Sequence, residues 1–137
     1  LIQAARMTSN KQVSSTARNV LGGPLVVCGC EPMTGWHRDG FCETDDADRG
    51  QHSICCVITE AFLCYSKAQG NDLSTPMPAF QFPGLKPGDH WCVCAPRWKQ
   101  AYDDGVAPKV RLESTEDTAL MVVSLEQLKE HAHQGIS

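Results

Sequence analysis

Eight cysteines at 28, 30, 42, 55, 56, 64, 92 and 94 constrain this 137-residue chain more than any other feature. They fall as two Cys-x-Cys pairs, one adjacent pair and two single residues. On a strand, Cys92 and Cys94 would share one face, about 6.6 Å apart along it. That is near the upper limit for a disulfide between them, and too far for two sulfurs on one ion unless the side chains lean together. Cys55 and Cys56 would point to opposite faces of a sheet, so at most one of them joins any shared site. The Cys-x-x-Cys turns common in zinc sites are absent from the sequence. The plainest reading is small core residues with a few spare thiols. A metal site drawn from Cys28, Cys30, Cys42, Cys92 and Cys94, a reactive thiol, and structural disulfides are the alternatives.

Charge excludes one class of partner. Residues 1–30 carry Arg6, Lys11 and Arg18 and no acid, while the remainder carries nine basic and sixteen acidic residues. A body with that acidic excess lacks the basic face that phosphate binding needs, so no nucleic acid is expected. No apolar run approaches the roughly 20 residues of a membrane span, so the expectation is a soluble protein with no membrane partner. Residues 1–18 read as an N-terminal tail or leader, rich in Ser, Thr, Gln and Asn. They lack the apolar core of a secretory signal. A cytoplasmic location follows as the default, with an organellar one as the alternative should the acid-free start be a transit remnant. In a reducing compartment disulfides are uncommon.

Residues 19–137 read as one α+β domain with a small mixed or antiparallel sheet, about three short helices and two long loops. Strands are expected at Leu25–Cys28, Ser53–Ile58, His90–Ala95, Lys109–Glu113 and Ala119–Val123. Thr59 caps a helix reaching Gln69, with Gly70 past its end and a stripe of Ala61, Phe62, Tyr65 and Ala68. Pro96 and Gly105 bracket a second helix, with Trp98, Ala101 and Tyr102 inward. Ser124 and Gln127 form a capping box for a third, to about His133. Residues 29–52 and 70–89 are loops rich in glycine, proline and polar residues. Loops that long in a small domain are usually functional.

Among the thiols, Cys94 is the candidate nucleophile. It would leave a strand at a helix N-terminus with Arg97 in the first turn, and both features favour a thiolate. His52 is the candidate base or orienting partner. Cys64 reads as helix packing. Glu43–Asp48 fails the calcium-loop pattern, because counting from Asp46 puts Val57 where a bidentate Glu belongs, so it reads as a solvated acidic turn. Arg38 and Asp39 in the His37–Gly40 run, with Asn71, Asp72, Ser74 and Thr75 in the Gly70–Pro76 run, are candidate ligand-binding residues. The plainer alternative is that they organise their own loops.

Several runs resemble one bacterial family. They are Asn19-Val-Leu-Gly, Pro32-Met-Thr-Gly, Arg38-Asp-Gly, Gly70-Asn-Asp-Leu-Ser-Thr-Pro, Phe82-Pro-Gly-Leu-Lys-Pro-Gly-Asp and Trp91-Cys-Val-Cys followed by Arg97-Trp98. The family is domain of unknown function 2237, and the likeness spans about Asn19 to His131. It implies no activity, cofactor or substrate. Its pattern matches Cys28, Cys42, Cys55, Cys92, Cys94 and His52 but not Cys30, Cys56 or Cys64. Similar proteins more often show an aromatic and an arginine at His37 and His90. The first functional reading is a small binding or interaction domain with a polar loop pocket for a small polar ligand or a protein partner. A thiol-centred redox or nucleophilic enzyme using Cys94 is the alternative, and a small Cys/His structural metal site is the second.

Overall fold

The computed structural model describes residues 12–133. Most of residues 1–18, read above as a tail, lies outside the described residues. Its last stretch does not behave as a tail, because Val13–Arg18 forms strand β1 and pairs antiparallel with β2, Pro24–Val26. Asn19 holds the turn between them. Its Oδ1 accepts from the Leu21 and Gly23 amides, and its Nδ2 donates to the carbonyls of Pro24 and Glu113.

A second antiparallel sheet has the order β4–β3–β5, from His90–Cys94, His52–Val57 and Lys109–Val110. Three helices complete a small α+β domain: α1 Glu60–Ala68, α2 Ala95–Asp103 and α3 Leu125–Glu130. The Thr59 hydroxyl accepts from the Phe62 amide at the start of α1, and the full Ser124–Gln127 capping box is present at α3. Among the described residues, no helix is long and apolar enough to cross a membrane.

Strand β3 divides two cores. Ile54 and Cys56 face a hydrocarbon core with Phe62, Trp98, Val110 and Leu128. Cys55, on the opposite face, joins a buried cluster of Cys28, Cys42 and Cys92. The reason is register. Cys55 stands directly across from Cys92 on β4, so the two share a face and lie side by side. Cys55 is bonded to Cys28 and Cys92 to Cys42. The expectation of unpaired core thiols is therefore corrected for these four residues, and the disulfide alternative holds for them. The buried loop residues Cys28 and Cys42 supply the partners that sequence spacing alone left open.

Other expectations need correction. Ala119–Val123 is not a strand. Residues Asp117–Met121 form a 3-10 turn, because β3 is already flanked by β4 and the two-residue β5 and offers no free edge there. The strand expected over Lys109–Glu113 keeps only its first two residues. Beyond them the Thr115 hydroxyl takes the place of a ladder partner, accepting from the Cys55 amide and donating to the Arg111 carbonyl. The stripe of α1 is rotated: Phe62, Leu63 and Ser66 are buried, whereas Ala61 and Ala68 are exposed. Cys64 is exposed rather than packed.

Candidate active site

The site lies where β3 and β4 stop pairing regularly. Ile54 stands opposite Val93, so an unbroken ladder would place Ser53 opposite Cys94. The register slips instead, and His52 stands opposite Cys94. This bulge moves the imidazole onto the face that carries Cys92 and Cys94. His52 Nε2 then lies 3.2 Å from Cys94 Sγ. Its other nitrogen, Nδ1, is 2.7 Å from Asp48 Oδ1, while Asp48 Oδ2 accepts from the His52 backbone amide at 2.9 Å. The Asp48 carboxylate is wholly buried and the His52 ring about one-third exposed, at 32%.

This chain of contacts has a direction. An ionised Asp48 accepts from Nδ1–H, which turns Nε2 toward the sulfur. The hydrogen bond to Cys94 is the largest influence on His52, and with the Asp48 carboxylate it pushes the ring from 6.5 up to about 9, against the opposing effect of burial. Trp36 stacks on the ring at 6.0 Å between centroids, 17° from parallel. Gly50 allows the close approach of His52 and Cys94. A Cβ there would come within 2.9 Å of His52 Cε1 and 3.1 Å of Cys94 Sγ.

Cys94 is also the N-cap of α2, with an extended backbone and no side-chain capping bond. Pro96 occupies the first turn without an amide to donate, and the positive end of the nine-residue helix faces the sulfur region. Sulfur and imidazole open on a cavity of about 390 Å³. Trp36, Phe80, Phe82 and Trp91 give it aromatic walls, and Arg38, Asn71 and Asp72 add polar groups at its margin. Phe80 is 70% exposed at the rim. The Arg38 guanidinium lies 5.1 Å from the centroid of Trp91.

The structure brings some candidates together and leaves others apart. Cys94 and His52 are in contact, and Arg38, Asn71, Asp72 and Cys92 line the same cavity. Arg97 lies in the first turn of α2 but not in the lining. Asp39 accepts from the Phe41 amide and so shapes its own loop. Ser74 and Thr75 both donate to Asp72, whose carboxyl is thereby lowered to about 2. Those three residues are mainly a loop clasp, with Asp72 alone reaching the cavity. Cys28, Cys42 and Cys55 lie behind Cys92 as disulfides.

Asp48 was missed. Read as part of a solvated acidic turn, it is 3% exposed and holds His52. The signal available was its four-residue spacing from His52 across Gly50, with no regular element between them.

The site of this small α+β domain thus joins a cysteine at a helix N-terminus, an Asp-held imidazole and an aromatic cavity. The chain belongs to the family described as an uncharacterised protein conserved in bacteria, DUF2237, whose pattern matches residues 18–132. No curated protein matches the chain.

Proposed function

We propose that this protein is a cysteine-nucleophile enzyme acting on an acyl carbon of a small molecule with a flat apolar body and a polar or anionic end. The observation that carries this reading is the Cys94–His52–Asp48 contact chain opening on the aromatic cavity. His52 takes the Cys94 thiol proton at Nε2, and the sulfur attacks the carbonyl carbon. The leaving group departs with the proton returned by His52. Water, activated by the same nitrogen, then cleaves the thioester and regenerates the thiol. Asp48 holds the imidazole orientation throughout. Trp36 and Phe80, the exposed aromatics of the lining, would stack the substrate body, and Arg38 would receive an anionic end. The plainer binding-module reading uses the same cavity without covalent chemistry.

Alkylation separates the two, and the chain carries its own standards, because Cys30 and Cys64 are exposed and unpaired. Limited iodoacetamide treatment at pH 7, followed by peptide mass spectrometry, should modify Cys94 at least about tenfold faster than either standard. His52→Ala should bring Cys94 down to the standards, and Asp48→Asn to an intermediate rate. Labelling of Cys94 no faster than Cys30 and Cys64 would overturn the enzyme and leave the binding module.

A further inference from the structure

The second constellation of sulfur is independent of Cys94. The Sγ atoms of Cys28, Cys42 and Cys55 lie within 4.8 Å of one another, and Cys92 Sγ is bonded to that of Cys42. All four residues are buried, on separate segments converging from β3, β4 and the loop that follows β2. Four thiolates around one zinc at about 2.3 Å stand about 3.8 Å apart. Opening both disulfides lets each bonded pair separate toward that spacing by side-chain rotation. Two unbonded pairs, Cys28–Cys42 and Cys42–Cys55, already lie within 4.8 Å, and Cys92 reaches the group through its bond to Cys42.

A second observation places a mostly buried cation beside the same cysteines. Arg111 is nearly buried, with its side chain 11% exposed. Its backbone amide donates to the Cys55 carbonyl at 2.8 Å, and its Nη1 lies 3.4 Å from the Cys28 carbonyl. Arg111 thus touches both residues of one disulfide, Cys28 through its guanidinium and Cys55 through its backbone amide. Nη1 also meets His90 Nδ1 at 3.1 Å, and Nη2 meets Glu113 at 3.2 Å. Nε is the one buried side-chain nitrogen or oxygen without a partner among the described residues. Glu113 offsets the charge at one end of the guanidinium. A four-thiolate zinc centre, with a net charge of minus two, would add a second anionic partner on the Cys28 side.

We propose that Cys28, Cys42, Cys55 and Cys92 form a redox-exchangeable zinc site, closed as two disulfides when oxidised and holding one divalent ion when reduced. Two dithiol reductants supply four electrons and four protons, opening both bonds to four thiols. Zinc binding displaces the four protons. In reverse, two hydrogen peroxide molecules oxidise the two thiolate pairs, take up four protons, leave as four waters and release the ion. In a reducing compartment, where structural disulfides are uncommon, the metal form is the one maintained.

The test uses the full chain, reduced with a phosphine under anaerobic conditions and titrated with cobalt(II). One ion per chain is expected, with thiolate-to-metal charge-transfer bands and the visible bands of tetrahedral cobalt, abolished by added zinc. Cys28→Ser and Cys42→Ser should weaken uptake at least about tenfold. Cys94→Ser and Cys30→Ser should not alter it. Arg111→Gln, which keeps all four thiols, should weaken it severalfold. Should reduction unfold the chain, zinc must restore its circular dichroism. Absence of stoichiometric uptake, or of recovery by zinc, overturns the site. So does uptake that depends on Cys94 and not on Cys28, since that would move the metal to the His52 pair.

Discussion

His52 concentrates three independent constraints on one ring. The bulge opposite Cys94 gives it direction, Asp48 fixes which nitrogen faces the sulfur, and Trp36 covers one side. Its proton affinity is therefore part of folding. The folded ring titrates at about 9 against an ordinary 6.5. Folding thus strengthens proton binding, so the stabilisation is complete below about pH 6.5 and is lost as pH rises through about 9. Thermal melts of the native chain and of His52→Gln should differ most near pH 6 and converge near pH 10. A gap that widened with pH would contradict the ion-paired ring. Cys94 stands out in the sequence as a candidate because a strand end followed by Pro96 has a local signature, and the structure puts the other candidate, His52, beside it. Asp48 does not stand out, since burial of a carboxylate is decided by what folds over it and the run Glu43–Asp48 looks like any hydrated acidic turn.

At the scale of elements, legibility follows locality. Helices α1, α2 and α3 announce their ends through Thr59, Pro96, Gly105 and the Ser124–Gln127 box, all of which act within one turn. Thr59→Ala should accordingly cost about 1 kcal/mol, seen as a lower denaturant midpoint with unchanged slope. No change in midpoint would mean that α1 is held by packing of Phe62 and Leu63 alone. The strands are less legible where pairing is contributed from a distance. Val13–Arg18 has a polar composition and becomes a strand only because Pro24–Val26 lies beside it. Ala119–Val123 has the apolar composition of a strand and no edge to join. The bulge at Ser53, which the site depends on, is a relation between two strands and leaves no mark in either one alone.

The whole molecule is tied together by its two sulfur bridges, which join residues 27 and 50 positions apart. Loop-closure entropy assigns about 3–4 kcal/mol to each, a large share of the roughly 5–15 kcal/mol that a domain has in total. Reduction in the presence of a chelator should therefore lower the melting temperature steeply or abolish the transition. A shift of only a few degrees would show that the hydrocarbon core under β3 suffices. The placement of that strand between two cores has a further consequence. Cys55 and Cys56 are neighbours in the chain yet belong to different interiors, so an oxidising chain that has not yet chosen its register offers Cys28 two nearly equivalent partners. Bonding to Cys56 would turn the strand over and bring Ile54 into the sulfur side. Correct oxidation thus requires Cys28 to choose between two residues adjacent in sequence but on opposite faces of the strand. Residue 56 is where an engineer seeking a uniformly oxidised product would begin.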